Sequence, residues 1–158
     1  MTANLVIDSS VVIKWFVTES LSAEALRLFA DWQAKRVSCF VPDLMFVEAA
    51  NILWKKRRQG MMTDIDVSNH MLTIKSLPFD VTASIPIVDD AVRIAMAHDR
   101  TAYDSMYLAL ARHLACPFVT ADERLANAVA AHISNVIKLS DWTPSPPTTT
   151  PPATTTTP

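Results

Sequence analysis

Short apolar runs alternate with amphipathic stretches along this chain, and that alternation narrows the fold more than any other feature. NLVID at 4–8, VSCFV at 37–41, PFVT at 117–120 and NVIK at 135–138 have the length and uniform hydrophobicity of strands buried on both faces. A weaker strand is expected at 77–81, where Pro78 disfavours a central position. Between these runs, helical spacing predicts segments over VVIKWFV after Ser9 and Ser10, over 22–36 with Ser22 as a cap, over 44–58 behind Asp43, and over 63–75, 85–97 and 122–132. Another helix is expected within TAYDSMYLALAR at 101–112, beginning at Asp104 as its N-cap or first residue. The only glycine, Gly60, falls where a helix C′ residue is expected. The expected fold class is α/β, a three-layer α/β/α sandwich about a mostly parallel central sheet.

Residues 1–142 are expected to form one domain, and 143–158 a disordered tail, since that stretch holds only Thr, Pro, Ser and Ala. A single glycine leaves no glycine-rich loop to cradle nucleotide phosphates. Cys39 and Cys116 stand alone, with no C-x-x-C and no matching His spacing, so both are expected in the core. Lys14 interrupts the one early apolar run and no stretch of 18 apolar residues exists, which predicts a cytoplasmic protein without a membrane span.

Four acids stand where acids are unusual. Glu48 lies in LMFVEAANIL with Leu44 and Ile52 one turn to either side. Asp104 shares a helix face with Tyr107, Leu108, Ala111 and Ala115. Asp8 ends the first strand, and Asp122 follows PFVT by two residues; ligands of open parallel sheets bind beyond such strand ends. Each has a simpler explanation alone: an Asx turn for Asp8, a buried pair for Glu48, an N-cap for Asp104 and for Asp122. If they converge they cannot all stay ionised without a counter-charge. No basic residue is placed to supply it, and the donors are all oxygens, so Mg²⁺ or Mn²⁺ is the expected cofactor. Such an ion acidifies a water and stabilises a leaving oxygen, which suits phosphodiester hydrolysis. The formal charge of −2 does not exclude a nucleic acid, because the 14 basic side chains outnumber the acids once these four are set aside.

DSSVVIKWF at 8–16, FVEAAN around Glu48, YDSMYLALA at 103–111 and VTADERL at 119–125 resemble the PIN-domain ribonucleases, and more narrowly the VapC-type toxins of bacterial toxin–antitoxin pairs. The likeness runs in order over residues 3–140 and excludes the tail. It implies metal-binding, catalytic acids at Asp8, Glu48, Asp104 and Asp122, with Asp8 and Asp104 the most direct ligands. Ser9 stands where the family commonly has Thr, a mild departure expected to preserve a hydrogen bond behind the metal-binding acids, with Thr120 serving similarly beside Asp122. It further implies Mg²⁺-dependent endonucleolytic cleavage of RNA with 5′-phosphate and 3′-hydroxyl products, a homodimer, and a cognate antitoxin that occupies the groove.

Lys55, Lys56, Arg57 and Arg58 have two readings, as contacts to RNA phosphates or as cations compensating a helix C-terminus; Arg100 is either a phosphate contact or a surface loop residue. Asp99 and Glu123 flank the proposed site. Lys14 and Trp15 are expected in packing or on a dimer surface, Tyr103 and Tyr107 in the core, and His70, His98, His113 and His132 in structural or surface roles. Rival readings are an interaction module with a vestigial acidic groove, a housekeeping nuclease without an antitoxin, and an acid-dependent phosphotransferase. The last is disfavoured because Asp8-Ser9-Ser10 lacks a second aspartate.

Overall fold

A computed structural model describes residues 2–143. Of the expected tail, 143–158, all but Thr143 lies outside the described residues. Five parallel strands form the sheet: β1 (Ala3–Ile7), β2 (Val37–Pro42), β3 (Asp80–Thr82), β4 (Phe118–Thr120) and β5 (Val136–Lys138), in the order β3-β2-β1-β4-β5. The helices are α1 (Ser9–Ile13), α2 (Ser22–Gln33), α3 (Leu44–Arg58), α4 (Asp64–Ser76), α5 (Val88–His98), α6 (Ala102–His113) and α7 (Glu123–Val129). Leu5, Val6 and Ile7 of β1 are all buried, as a central strand covered on both faces requires.

The chain winds outward from β1 to β3, then returns and adds β4 and β5 on the other side of β1. Right-handed crossovers therefore lay α1–α4 over one face and α5–α7 over the other. The packing agrees: α3 rests on α1 and α4, and α5 on α6. The strand order reverses between β1 and β4, so a crevice opens beyond their carboxyl ends. No helix among the described residues is long and apolar enough to cross a membrane.

Several local expectations shift. Helix α6 begins two residues before Asp104, because extended Thr101 is its N-cap and accepts the Asp104 amide at 3.1 Å. Ser22 is the first residue of α2 and not its cap. Leu21 holds the cap position in a left-handed conformation (φ 65°), and the Ser22 hydroxyl serves the preceding turn. Pro78 delays β3 to Asp80, and Pro86 sits in a one-turn 3₁₀ helix, Ile85–Ile87, ahead of α5. Tyr103 is 67% exposed and not in the core, because its position on α6 faces away from the sheet. Trp15 packs in an aromatic cluster with Phe29, Trp32 and Phe79, which makes it a packing residue.

Candidate active site

Asp8 follows β1 directly, at the reversal point, and caps α1. Its side chain is 5% exposed. Oδ1 accepts from the Ser10 hydroxyl at 2.5 Å and the Val11 amide at 3.2 Å, and Oδ2 accepts from the Thr120 hydroxyl at 2.5 Å. Both hydroxyls are oriented from behind. Ser10 Oγ accepts the Ala121 amide and Thr120 Oγ1 the Asp122 amide, each at 3.0 Å, so each hydroxyl proton is aimed at Asp8. Burial pushes the Asp8 carboxyl up to about 6 despite these bonds, with a further upward push from Glu48.

Glu48 reaches the same crevice from the first half of α3. Its Oε2 accepts from the Ser9 hydroxyl at 3.3 Å and from the Tyr107 hydroxyl. Burial again raises its pKa, and the nearby Asp104 adds to the rise. Tyr107 is buried, its ring stacked on Phe118 at 5.8 Å and 11°, and its phenol is pushed up by burial and then by the charges of Glu48 and Asp8. Asp104 is half-buried and accepts from the Thr101 hydroxyl at 2.8 Å.

Glu48 lies close enough to repel Asp8 and is itself repelled by Asp104, so the three acids form a chain of mutual repulsion. Asp122 stands apart from it. Exposed at the start of α7, it caps that helix through the Leu125 amide at 3.0 Å and reaches Asp8 only through its own backbone N–H and Thr120. Among the described residues no three His, Cys, Asp or Glu side chains are grouped as a ready metal cage. The physical reason is visible in the bonds: each acid turns to its own hydroxyl or amide donors.

The donor set nonetheless fits a hard divalent cation. Every group is a carboxylate or hydroxyl oxygen, burial penalises the charges of Asp8 and Glu48, and the ion pairs among the described residues engage Glu19, Glu24, Asp31, Asp64 and Asp90 and none of the four acids.

The candidate phosphate contacts are more dispersed. Lys56 pairs with Glu19 at 2.6 Å, Arg57 pairs with Asp64, and Arg58 lies 5.0 Å over the Trp54 ring. Lys55 is exposed, and the run stands about 10–15 Å along the α3 axis from Glu48. Arg100 is half-buried, its Nε donating to the His98 carbonyl at 3.3 Å. Sequence reasoning missed Ser10, whose hydroxyl bonds Asp8 directly, and the hydroxyl of Tyr107. The signal for Tyr107 was its place three residues after Asp104, on the same helix face.

A family model described as "PIN domain" matches residues 5–130. The chain belongs to the PIN domain family. Among PIN relatives, "Ribonuclease VapC3" of Pyrobaculum aerophilum is 30% identical over 132 residues, covering 82% of this chain and 98% of that protein. Two solved structures share the fold. The Mycobacterium tuberculosis toxin VapC20, described as cleaving the sarcin-ricin loop, superposes with a TM-score of 0.61 at 16% identity over 82% of this chain and 95% of its own. A toxin–antitoxin complex from Klebsiella pneumoniae gives a TM-score of 0.59 at 12% identity, over 87% of this chain and 99% of its own.

Proposed function

We propose that this PIN protein is a Mg²⁺- or Mn²⁺-dependent endoribonuclease and the toxin of a toxin–antitoxin pair, acting in the cytoplasm where its RNA substrate is found. The observation that carries this reading is the buried Asp8 at the sheet's reversal point, repelled by Glu48 and paired with no cation among the described residues. Asp8, Glu48 and Asp104 hold the ion, and Asp122 contributes from the rim. The metal, when bound, supplies Lewis acidity for phosphodiester hydrolysis. Ser10 and Thr120 hold Asp8 in one orientation, and Ser9 does the same for Glu48. Lys55 and Arg100 are the better candidates for RNA phosphates, since Lys56, Arg57 and Arg58 are engaged within the chain.

The partners are an antitoxin, whose segment would compete with RNA for this crevice, and a second copy of the chain. The kinship with a protein named as a ribonuclease over most of the chain supports the activity, and the fold shared with a toxin–antitoxin complex is consistent with the pairing.

The experiment is cleavage of a mixed RNA substrate with Mg²⁺ or Mn²⁺ by wild type, Asp8→Asn and Asp104→Asn. Loss of a residue behind a metal ligand typically lowers activity about 10–100-fold, and loss of a ligand should exceed that. Cleavage that persists in chelator, or in both variants, rejects the reading.

A further inference from the structure

We propose that Tyr107 is a positioning residue of the metal site, whose hydroxyl acts with that of Ser9 to fix Glu48 through Oε2 and leave Oε1 as the atom that takes the cation. The inference rests on the metal-site reading above and goes beyond it, because Tyr107 otherwise reads as an ordinary core aromatic.

Both protein hydrogen bonds to Glu48 converge on one oxygen. Among the described residues Oε1 receives none, so the carboxylate is pinned on one side and open on the other. The two donors come from different parts of the fold. Ser9 is the first residue of α1, and Tyr107 lies in the buried middle of α6. A half-buried glutamate on a third element, α3, is thereby tied to both faces of the sheet, and its rotation about the terminal carboxylate bond is stopped. The Tyr107 ring cannot swing away, because it is buried and stacked on Phe118 of β4. Helix α6 also delivers Asp104 three residues earlier, so one rigid element presents both a ligand and the group that orients another.

The residue type is informative as well. A phenol is a neutral donor, so it holds the carboxylate without placing a positive charge in a site that must attract a cation. Lysine or arginine would bond Glu48 equally well and repel the ion. Phenylalanine would fill the same space against Phe118 and leave Glu48 with one donor fewer.

The test is a Mn²⁺ titration by calorimetry on the full chain, as wild type, Tyr107→Phe, Glu48→Gln and the double variant, with thermal melts in chelator as the structural control. Tyr107→Phe should melt near wild type and bind Mn²⁺ about 10–100-fold more weakly. The same substitution added to Glu48→Gln should weaken binding by no more than about twofold, because the two act as one unit. An unchanged Mn²⁺ affinity in Tyr107→Phe, or an equal loss in both backgrounds, overturns the assignment. If Glu48→Gln itself binds Mn²⁺ as wild type does, the metal-site reading fails and takes this one with it. Should Tyr107→Phe melt far below wild type, Ser9→Ala replaces it, since it removes the other donor to the same oxygen. It should weaken Mn²⁺ binding in wild type and not in Glu48→Gln, and any other pattern overturns the proposal.

Discussion

Asp8 concentrates the site's electrostatic tension in one side chain. Burial lifts its carboxyl from the usual 3.8 to about 6, so between those values the folded chain keeps a proton that the unfolded chain has released. Stability without metal therefore falls as pH rises through that window, and the full penalty stands above about pH 6. At about 1.4 kcal/mol per pKa unit the penalty is on the order of 3 kcal/mol. Asp8→Asn removes the charge but keeps only one acceptor oxygen, so one of the two hydroxyl donors, Ser10 or Thr120, meets an amide NH₂, which returns about 1 kcal/mol of it. In chelator at pH 7.5 the variant should be more stable than wild type by about 1–2 kcal/mol in urea denaturation. The advantage should disappear near pH 4. A variant less stable than wild type at pH 7.5 would mark Asp8 as a helix cap and nothing more. Asp8, Glu48 and Asp104 were legible in the sequence because a carboxylate is conspicuous against apolar neighbours. Ser10 and the Tyr107 hydroxyl were not, since a serine after a strand and a tyrosine in an apolar helix are ordinary, and their partners lie on other elements of the fold.

Among the elements, α6 depends most on its first turn. Thr101 accepts the Asp104 amide and donates to the Asp104 carboxylate, so one side chain both caps the helix and restrains a candidate ligand. Thr101→Ala should lower stability by about 1 kcal/mol, as a lost N-cap does. Freed of its hydroxyl partner, Asp104 should also hold Mn²⁺ more weakly, by less than the loss in Asp104→Asn. Thermal melts in chelator and a Mn²⁺ titration separate the two effects; a change in melting with unchanged affinity would leave Thr101 a cap alone. The boundary of α6 was misjudged because Asp104 is itself a good capping residue. The T-x-x-D pattern three residues upstream was the stronger signal. At Leu21 and at β3 the sequence offered less, since a left-handed leucine and the exact delay after a proline are settled by tertiary packing.

At the scale of the whole molecule, the alternation of apolar runs and helices sufficed for a parallel α/β/α fold. The strand order β3-β2-β1-β4-β5 was not readable, because buried strands of similar composition carry no pairing label, yet that order is what brings Asp8 and Thr120 together. The outer face of α5 also became visible only in three dimensions. Ile85, in the turn ahead of α5, and Val88, Val92 and Met96 form an apolar stripe at helical spacing, with Ile85 86% and Met96 74% exposed. A two-fold pairing through this stripe would be self-complementary and closed, and a stable one should bury about 800 Å² per copy. We expect wild type to behave in light scattering as twice the 17.5 kDa chain and Val92→Glu as a single chain, because a charge at the centre of an apolar interface is expelled. Since all four acids reside on one chain, Val92→Glu should keep its melting temperature in dilute solution and its Mn²⁺ affinity. A wild type that is monomeric at tens of micromolar, or a Val92→Glu variant that stays dimeric, would remove α5 as the contact.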